Sequence, residues 1–487
     1  MVNFNALIAA LWIVPSLAII AMLIIRRPVW GEFLNLLSAI FVFALTLTIL
    51  VAAPNAAWVG GSQYLLLTPL GAWVLFCVGV VYLLASIYAI GYMRLLPEER
   101  PRLYQFYALQ AGFALTMLIA PLMNNPGIFW IAIDFTTIVS AFLVGFEREA
   151  ESAEAAWKYI IIVSAGLSLA LLGIILFYWA GTFSFGPVYA MTWHRLRLMA
   201  PHAPHSLLLL AFLLTLIGFG TKVGLAPMHT WLPDAHSEGP APVSALLSGA
   251  LLNTAMLGVV RFLTVLDAGG LGGAGHDALC VLGALSLTVA ALFIVRQTGA
   301  KRLMAYSSIE HMGVIALGFG FGGVLGIAGA MYQMLNHALN KSLMFFGAGN
   351  MMRAYKSKDM RVMRRILRFY PVTGTIWLLG AIAITGAPPF GPFQGEIAIL
   401  RAGMGGPNTW AVAVMALLLI VIFIGFLAHF RRMVAGPMPA AGHEPGLALS
   451  VWMTAPLWLA IIPLTILGLW WPPLLWRLFV RAAQVLR

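Results

Sequence analysis

The sequence predicts an all-α integral membrane protein, and three observations carry that prediction: its composition, its string of apolar segments and the placement of its few charges. Of its 487 residues, 62% are hydrophobic and 9% charged, against about 25% charged in soluble domains. Fourteen apolar segments near or above the spanning length of about 20 residues are centred around residues 15, 42, 81, 114, 136, 168, 216, 253, 286, 312, 337, 385, 420 and 460. Runs this long are helices, because hydrocarbon offers the backbone no partners and outer-membrane strands are only about 10 residues long.

The first segment, Ala6 to Ile25, has no basic residue before it and no small-residue cleavage pattern after it, and reads as a retained helix rather than a signal peptide. With the next two it forms a leading group over about 6–93. Two later segments break the helical pattern in comparable ways: TKVGLAPMHTWLPDAHSEGPAPVS at 221–244 and TGAPPFGPFQGE at 385–396. Both put prolines at membrane depth beside an ionisable residue, Lys222 in one and Glu396 in the other. Discontinuous helices at matching positions point to inverted repeats around a midplane ion path. The spacing predicts two five-helix repeats, about 105–266 and about 277–432, and a last helix over about 450–472. No low-complexity linker intervenes, so residues 1–487 read as a single membrane domain.

The formal net charge of +12 is distributed as a topology signal rather than a nucleic-acid patch: loops on one side carry about 18 Lys/Arg and those on the other about 7. Positive-inside then puts both termini on the non-cytoplasmic side. The dense run Arg353, Lys356, Lys358, Arg361, Arg364, Arg365, Arg368 reads as a topology determinant and a lipid-facing loop. The acidic run Glu147, Glu149, Glu151, Glu154 reads as a solvated helix face. Cys77 and Cys280 are far apart with no CxxC, which excludes an iron–sulfur or structural zinc site held by this chain alone. The expectation is therefore no cofactor and no metal in this chain, with redox chemistry on partners.

The ionisable residues inside apolar runs are Asp134, Lys158, Lys222, Glu310, His311, His337, Lys341 and Glu396. An ammonium at the bilayer centre costs about 3 kcal/mol on insertion scales, so such residues mark ion or proton paths. His337 and Lys341 stand four apart and share one helical face. A proton relay needs such a set of titratable groups close enough to influence one another. Each also has a plainer reading. Lys158 lies within snorkelling reach of the interface, His311 and His337 suit a polar core, and Asp134 can bond to its neighbours Thr136 and Thr137. His229, Asp234, His236 and Glu238 look metal-like, but their Pro-rich setting suits a proton entry or a structural turn better.

The segments KVGLAPMHTWLPDAHSEGPAPVSALLSG, KRLMAYSSIEHMG at 301–313 and NHALNKSLMFFGAGN at 336–350 resemble the antiporter-like subunits of respiratory complex I. EHMG, LNHALNKSLMFFGAGN and AAWKYIII are most similar to the branch formed by the membrane subunits of hydrogenase-4 and formate hydrogenlyase. The resemblance implies fourteen helices, two inverted five-helix repeats with the seventh and twelfth helices broken, and proton movement along a central hydrated axis driven by a redox module elsewhere. It implies an inner membrane of a prokaryote and a complex with other membrane and peripheral subunits, iron–sulfur, nickel–iron or quinone-linked, besides lipids. Carried over residue by residue, Lys222, His311, the pair His337 and Lys341, and the terminal acid Glu396 match the family's proton-path positions. Two positions depart. Asp134 stands where the family has a glutamate paired with the lysine, which predicts a looser or water-bridged pair. Asn253 stands where relatives often have a lysine, so passage there needs ordered water. A long lateral amphipathic helix is not expected. The same fold also suits an Mrp-type cation/proton antiporter subunit or the membrane subunit of an inorganic-carbon uptake complex.

Overall fold

Caps and prolines set where the helices start. The computed structural model describes residues 3–53, 57–437 and 445–486. Asn3, Thr68 and Asn125 accept first-turn backbone N–H groups at 2.7–3.2 Å, and Pro28, Pro69 and Pro126 occupy opening helical positions, where a missing N–H costs nothing. In chain order the elements are α1 (Phe4–Ile25), α2 (Pro28–Val51), a small antiparallel ribbon of β1 (Trp58–Gly60) and β2 (Leu65–Leu67), α3 (Pro69–Met93), α4 (Leu103–Ile119), α5 (Pro126–Val144), α6 (Ala150–Phe185) and α7 (Trp193–Met199). There follow α8 (His205–Val223), α9 (Trp231–Glu238), α10 (Ala241–Leu246), α11 (Leu252–Ala268), α12 (Gly272–Ile294), α13 (Ala300–Phe321) and α14 (Gly323–Tyr355). The chain ends with α15 (Ile366–Phe369), α16 (Pro371–Ile384), α17 (Gly391–Met404), α18 (Thr409–Ala435), α19 (Val451–Leu469) and α20 (Pro473–Leu486).

Among the described residues eleven helices are long and apolar enough to cross a membrane, and they match eleven of the fourteen expected segments. The other three are special. Those centred near 312 and 337 are α13 and α14, long helices whose buried His, Lys, Glu and Asn side chains lower their hydropathy. The third, near 385, is not one helix: α16 and α17 have 14 residues each, about 21 Å at 1.5 Å per residue, so neither half spans alone.

Burial follows membrane logic. α1, α2, α6, α18 and α19 turn Ile, Leu, Phe and Trp outward, while α3, α11, α13 and α14 are buried almost throughout. Polar side chains gather on those inner helices, where they meet one another instead of lipid.

Both expected breaks are present. α8 stops at Val223 because Gly224 adopts a left-handed φ of +80°, and Trp231 at the start of α9 ties itself back by donating from Nε1 to the Thr221 carbonyl at 2.7 Å. The N–H of Ala226, buried in the break without a helical partner, is satisfied by Ser286 Oγ at 2.9 Å. α16 ends before Gly386, φ +66°, where an added Cβ would lie 1.9 Å from Glu396 Oε2. Glycine is needed there twice over, for the backbone and for the carboxylate that comes up against it.

A π turn over Leu247–Leu251 joins α10 to α11. Such turns cluster at functional positions, and here it carries Ser248, whose carbonyl faces His337 Nε2 at 3.2 Å. The amphipathic α20 lies beyond the last expected segment, the one near 460. Its apolar side, Leu475, Leu478, Phe479, Ala482 and Ala483, is buried in the helical core, with Phe479 against the Trp73 ring at 4.9 Å.

Candidate functional site

Lys222, one residue from the end of α8, is fully buried. Its Nζ donates to Thr137 Oγ1 and Tyr159 OH, both at 2.7 Å, and lies 4.9 Å from the Tyr159 ring centroid. Tyr159 OH shares a hydrogen bond of 2.8 Å with Ser140 Oγ. The expected partner Asp134 is elsewhere: among the described residues no ion pair joins it to Lys222, although the two interact electrostatically. Asp134 and Thr137 are three apart on α5, hence on one face and about 4.5 Å apart along the axis. The lysine sits on the hydroxyls one turn from the carboxylate, and Asp134 itself is only half-buried on the flank of α5.

From Lys222 the polar line continues through aromatic packing. The Tyr159 and Trp231 rings are 4.7 Å apart, Trp231 and His236 6.1 Å, and His236 and Phe345 5.5 Å. His236 is fully buried; its ring faces the Leu232 backbone one turn back, but neither nitrogen makes a well-formed hydrogen bond. It stands in the field of both Lys341 and Lys301 and acts on His337 in turn, so it bridges the two halves.

The second half is built on α13 and α14. Lys341 Nζ donates to the Met304 carbonyl at 3.2 Å and lies in electrostatic contact with Glu310. His311 and His337 stack obliquely with centroids 5.4 Å apart. Gln333 holds His311 Nδ1 at 3.0 Å, and Ser307 Oγ donates to Glu310 Oε2 at 3.1 Å. Glu310, His311 and Glu396 each bring a ligand atom within 4.8 Å of the others, and all three are buried. Among the described residues this trio is the one group with the spacing to share a small cation, and Glu310 Oε1, His311 Nε2 and Glu396 Oε1 have no partner. Asn253 fills its position with two donated hydrogen bonds, to Gly249 and Met334 carbonyls at 2.9 and 3.1 Å, and leaves its Oδ1 free.

The remaining candidates lie apart. Lys158 pairs with Glu154 at 2.5 Å near the surface. Asp234 binds Arg302 at 3.1 Å, and Glu238 binds Lys358 at 2.8 Å. His229 is half-buried in the break. His229, Asp234, His236 and Glu238 do not converge on one point, and Asp234, which also lies 3.9 Å from Lys158, and Glu238 serve as interfacial ion-pair partners. The basic run is not simply lipid-facing either, nor the acidic run simply solvated: Arg353 pairs with Glu147 at 2.9 Å and Lys358 with Glu149 at 3.5 Å. Glu238 and Glu149 outweigh the effect of burial and hold the Lys358 ammonium above its ordinary pKa.

Sequence reading missed four contributors. Thr137 and Tyr159 seat the lysine, Gln333 orients His311, and Lys301, counted among loop charges, is buried with Nζ on the Gly239 carbonyl at 2.6 Å. Arg261 was also missed. Its guanidinium donates to the Pro121 and Met123 carbonyls at 2.5 and 3.3 Å and stacks over Phe129 and Trp193, a clamp on the carbonyl end of α4.

Residues 124–424 match the model of a family described as NADH:quinone oxidoreductase/Mrp antiporter, transmembrane. A hydrogenase-4 component F homolog from Methylacidiphilum infernorum is 39% identical over 303 residues, 62% of this chain and 64% of that protein. The match thus spans just under two thirds of that relative's length. Among solved structures, a chain of the archaeal membrane-bound sulfane sulfur reductase superposes with TM-score 0.85 at 21% identity over 98% of this chain and 97% of that one. A chain of the Mrp complex from Dietzia sp. does so with TM-score 0.88 at 16% identity over 100% and 98%.

Proposed function

The chain belongs to the NADH:quinone oxidoreductase/Mrp antiporter membrane family, and from that premise we propose that it is the proton-translocating membrane subunit of a redox-driven, hydrogenase-4-like complex related to complex I. The observation that carries the proposal is the set of buried ionisable side chains, Lys222, His236, His337, Lys341, Glu310, His311 and Glu396, gathered at the two breaks and on the inner helices. Such groups are expensive inside a membrane and are retained for ion movement.

In this reading the proton path includes a lysine with two seats. On the hydroxyls of Thr137 and Tyr159, Lys222 is held away from Asp134; one turn along α5 it meets the carboxylate. A neighbouring opposite charge favours the protonated amine, so drawing the pair together or apart loads or unloads the lysine. His236 then passes the proton across, because a ring with two free nitrogens takes a proton on one and yields it from the other. Lys341 and His337 receive it, and the Glu310, His311 and Glu396 group hands it to the far side. Driving force comes from partner subunits carrying iron–sulfur, nickel–iron or quinone chemistry, with this chain in a prokaryotic inner membrane and both termini on the non-cytoplasmic side.

The test is redox-driven acidification in vesicles containing the complex. Lys222→Ala and Glu396→Ala are each expected to abolish coupled proton uptake while the complex still assembles. If both variants pump at the normal rate, the mechanism is wrong. A requirement for sodium in the same vesicles would instead favour an antiporter of Mrp type.

A further inference from the structure

A cavity of about 310 Å³ opens on the Lys/Arg-rich face, between the end of α9, the start of α13 and the loop after α14. Glu147, Glu149 and Glu238 stand around it, each paired to a base of the loop or of α14: Glu147 to Arg353, Glu149 and Glu238 to Lys358. The rim is tied to α13 through backbone bonds, Ala300 N–H to the Lys358 carbonyl at 3.1 Å and Met360 N–H to the Thr298 carbonyl at 2.8 Å. At the floor is Lys301, 4% exposed, with Nζ on the Gly239 carbonyl at 2.6 Å. Gly239 closes the helix that carries His236 three residues earlier, and Lys301 and His236 act on each other electrostatically.

We infer that this cavity is the proton-loading site of the path, with Lys301 as the first group inside the protein to take a proton from a hydronium ion and hand it to His236. The inference rests on the proposed pump. The cavity brings solvent down to Lys301, and its three carboxylates offset the charges of Arg353 and Lys358, so that the mouth is close to neutral on an otherwise basic face. The step balances simply: Lys301 Nζ gains a proton from hydronium, which leaves as water, and loses one through ordered water to a free His236 ring nitrogen, whose other nitrogen releases a proton toward Lys341. The unsatisfied nitrogens His236 Nδ1 and Nε2 and His337 Nδ1 are the groups that a bridging water would join. A lysine that only capped the carbonyl end of α9 would need neither the solvent cavity above it nor the orphaned imidazole below it.

Two variants separate relay from cap, both read in vesicles containing the whole complex. Arginine keeps the charge and the bond to Gly239 but does not release a proton, so Lys301→Arg is expected to leave assembly and thermal stability unchanged and to cut coupled proton uptake by about tenfold or more. The second is Ser357→Cys on the cavity wall, treated with a bulky cationic methanethiosulfonate; the native Cys77 and Cys280 are both buried, so labelling within this chain is confined to the cavity, and the identically treated wild-type complex controls for cysteines of the partners. Modification is expected to block uptake, with the unmodified variant active. If Lys301→Arg and modified Ser357→Cys both pump normally while Lys222→Ala is dead, the loading site is refuted and the pump stands. If Lys222→Ala pumps as well, the underlying reading fails with it.

Discussion

Replacing Lys222 by methionine separates function from folding. The substitution keeps the length of the side chain and removes the amine. Lost are two hydrogen bonds of 2.7 Å, to Thr137 and Tyr159; a bond from a charged donor contributes about 1.5–3 kcal/mol, so about 3–6 kcal/mol disappears. Tyr159 keeps Ser140 as a partner at 2.8 Å, but the Thr137 hydroxyl loses the lysine, a further cost of about 1–3 kcal/mol. Against these stands the price of holding an ammonium out of water without an ion pair, several kcal/mol for a buried ion. The opposing effects are of equal size, so the net change stays within about 3 kcal/mol, a small fraction of what the packed helices bury. The assembled complex should therefore melt within a few degrees of wild type in detergent. Proton uptake should fall about a hundredfold or more, the scale on which a positioned acid or base acts. A variant that pumps would refute the role of Lys222. A variant that no longer assembles would show that the amine is a structural strut and that the energetic reasoning is wrong.

The other perturbations are read with the same two measurements, uptake and melting temperature. Glu396→Gln keeps the shape against Gly386 while removing the titratable oxygen, so uptake is expected to vanish with assembly intact; a pumping variant would move the terminal acid to Glu310. Gly386→Ala and Gly323→Ala both force alanine into a left-handed backbone, φ +66° and +64°, a strain of about 1–2 kcal/mol. At Gly386 the new methyl also meets Glu396 Oε2 at 1.9 Å, whereas at Gly323 it meets nothing within 4 Å. Only Gly386→Ala should lose uptake, and equal pumping by the two would mean that Glu396 need not hold its position. His236→Phe keeps the ring packing with Trp231 and Phe345 but removes both nitrogens, and is expected to sever the two halves of the path without lowering the melting temperature.

What the sequence made legible was whatever hydrocarbon makes costly. Prolines at membrane depth, Lys222, Lys341 and Glu396 stand out because each would be unfavourable in lipid, and the structure places all of them at helix breaks or on the inner helices. Groups with no such cost were invisible. Thr137 and Tyr159 look like ordinary helix residues until Lys222 reaches them, since hydroxyls of that kind bond their own backbone throughout the bundle. Lys301 passed as a loop charge because it begins a helix beside Arg302, and its burial arises only when α9 packs over it. α20 escaped because 14 residues with one apolar side fall short of a span. The ion pairs between the acidic and basic runs join positions 206 and 209 residues apart, a distance no local pattern encodes.

The departure at residue 134 has a physical consequence. Among the described residues Lys222 makes no ion pair with Asp134 and rests on Tyr159 and Thr137 instead. Asp134 remains half-buried beside Ile131, Phe135, Ile138 and Phe142, which turn outward from α5. Covering that face with a neighbouring subunit would remove water from around the carboxylate, and charges attract more strongly as the surrounding dielectric falls. The balance between the two seats of Lys222 is thus set at the flank of the protein where a partner can act on it. In the proposed mechanism a conformational change outside this chain then has a route to the proton on Lys222 that requires no movement of the broken helices.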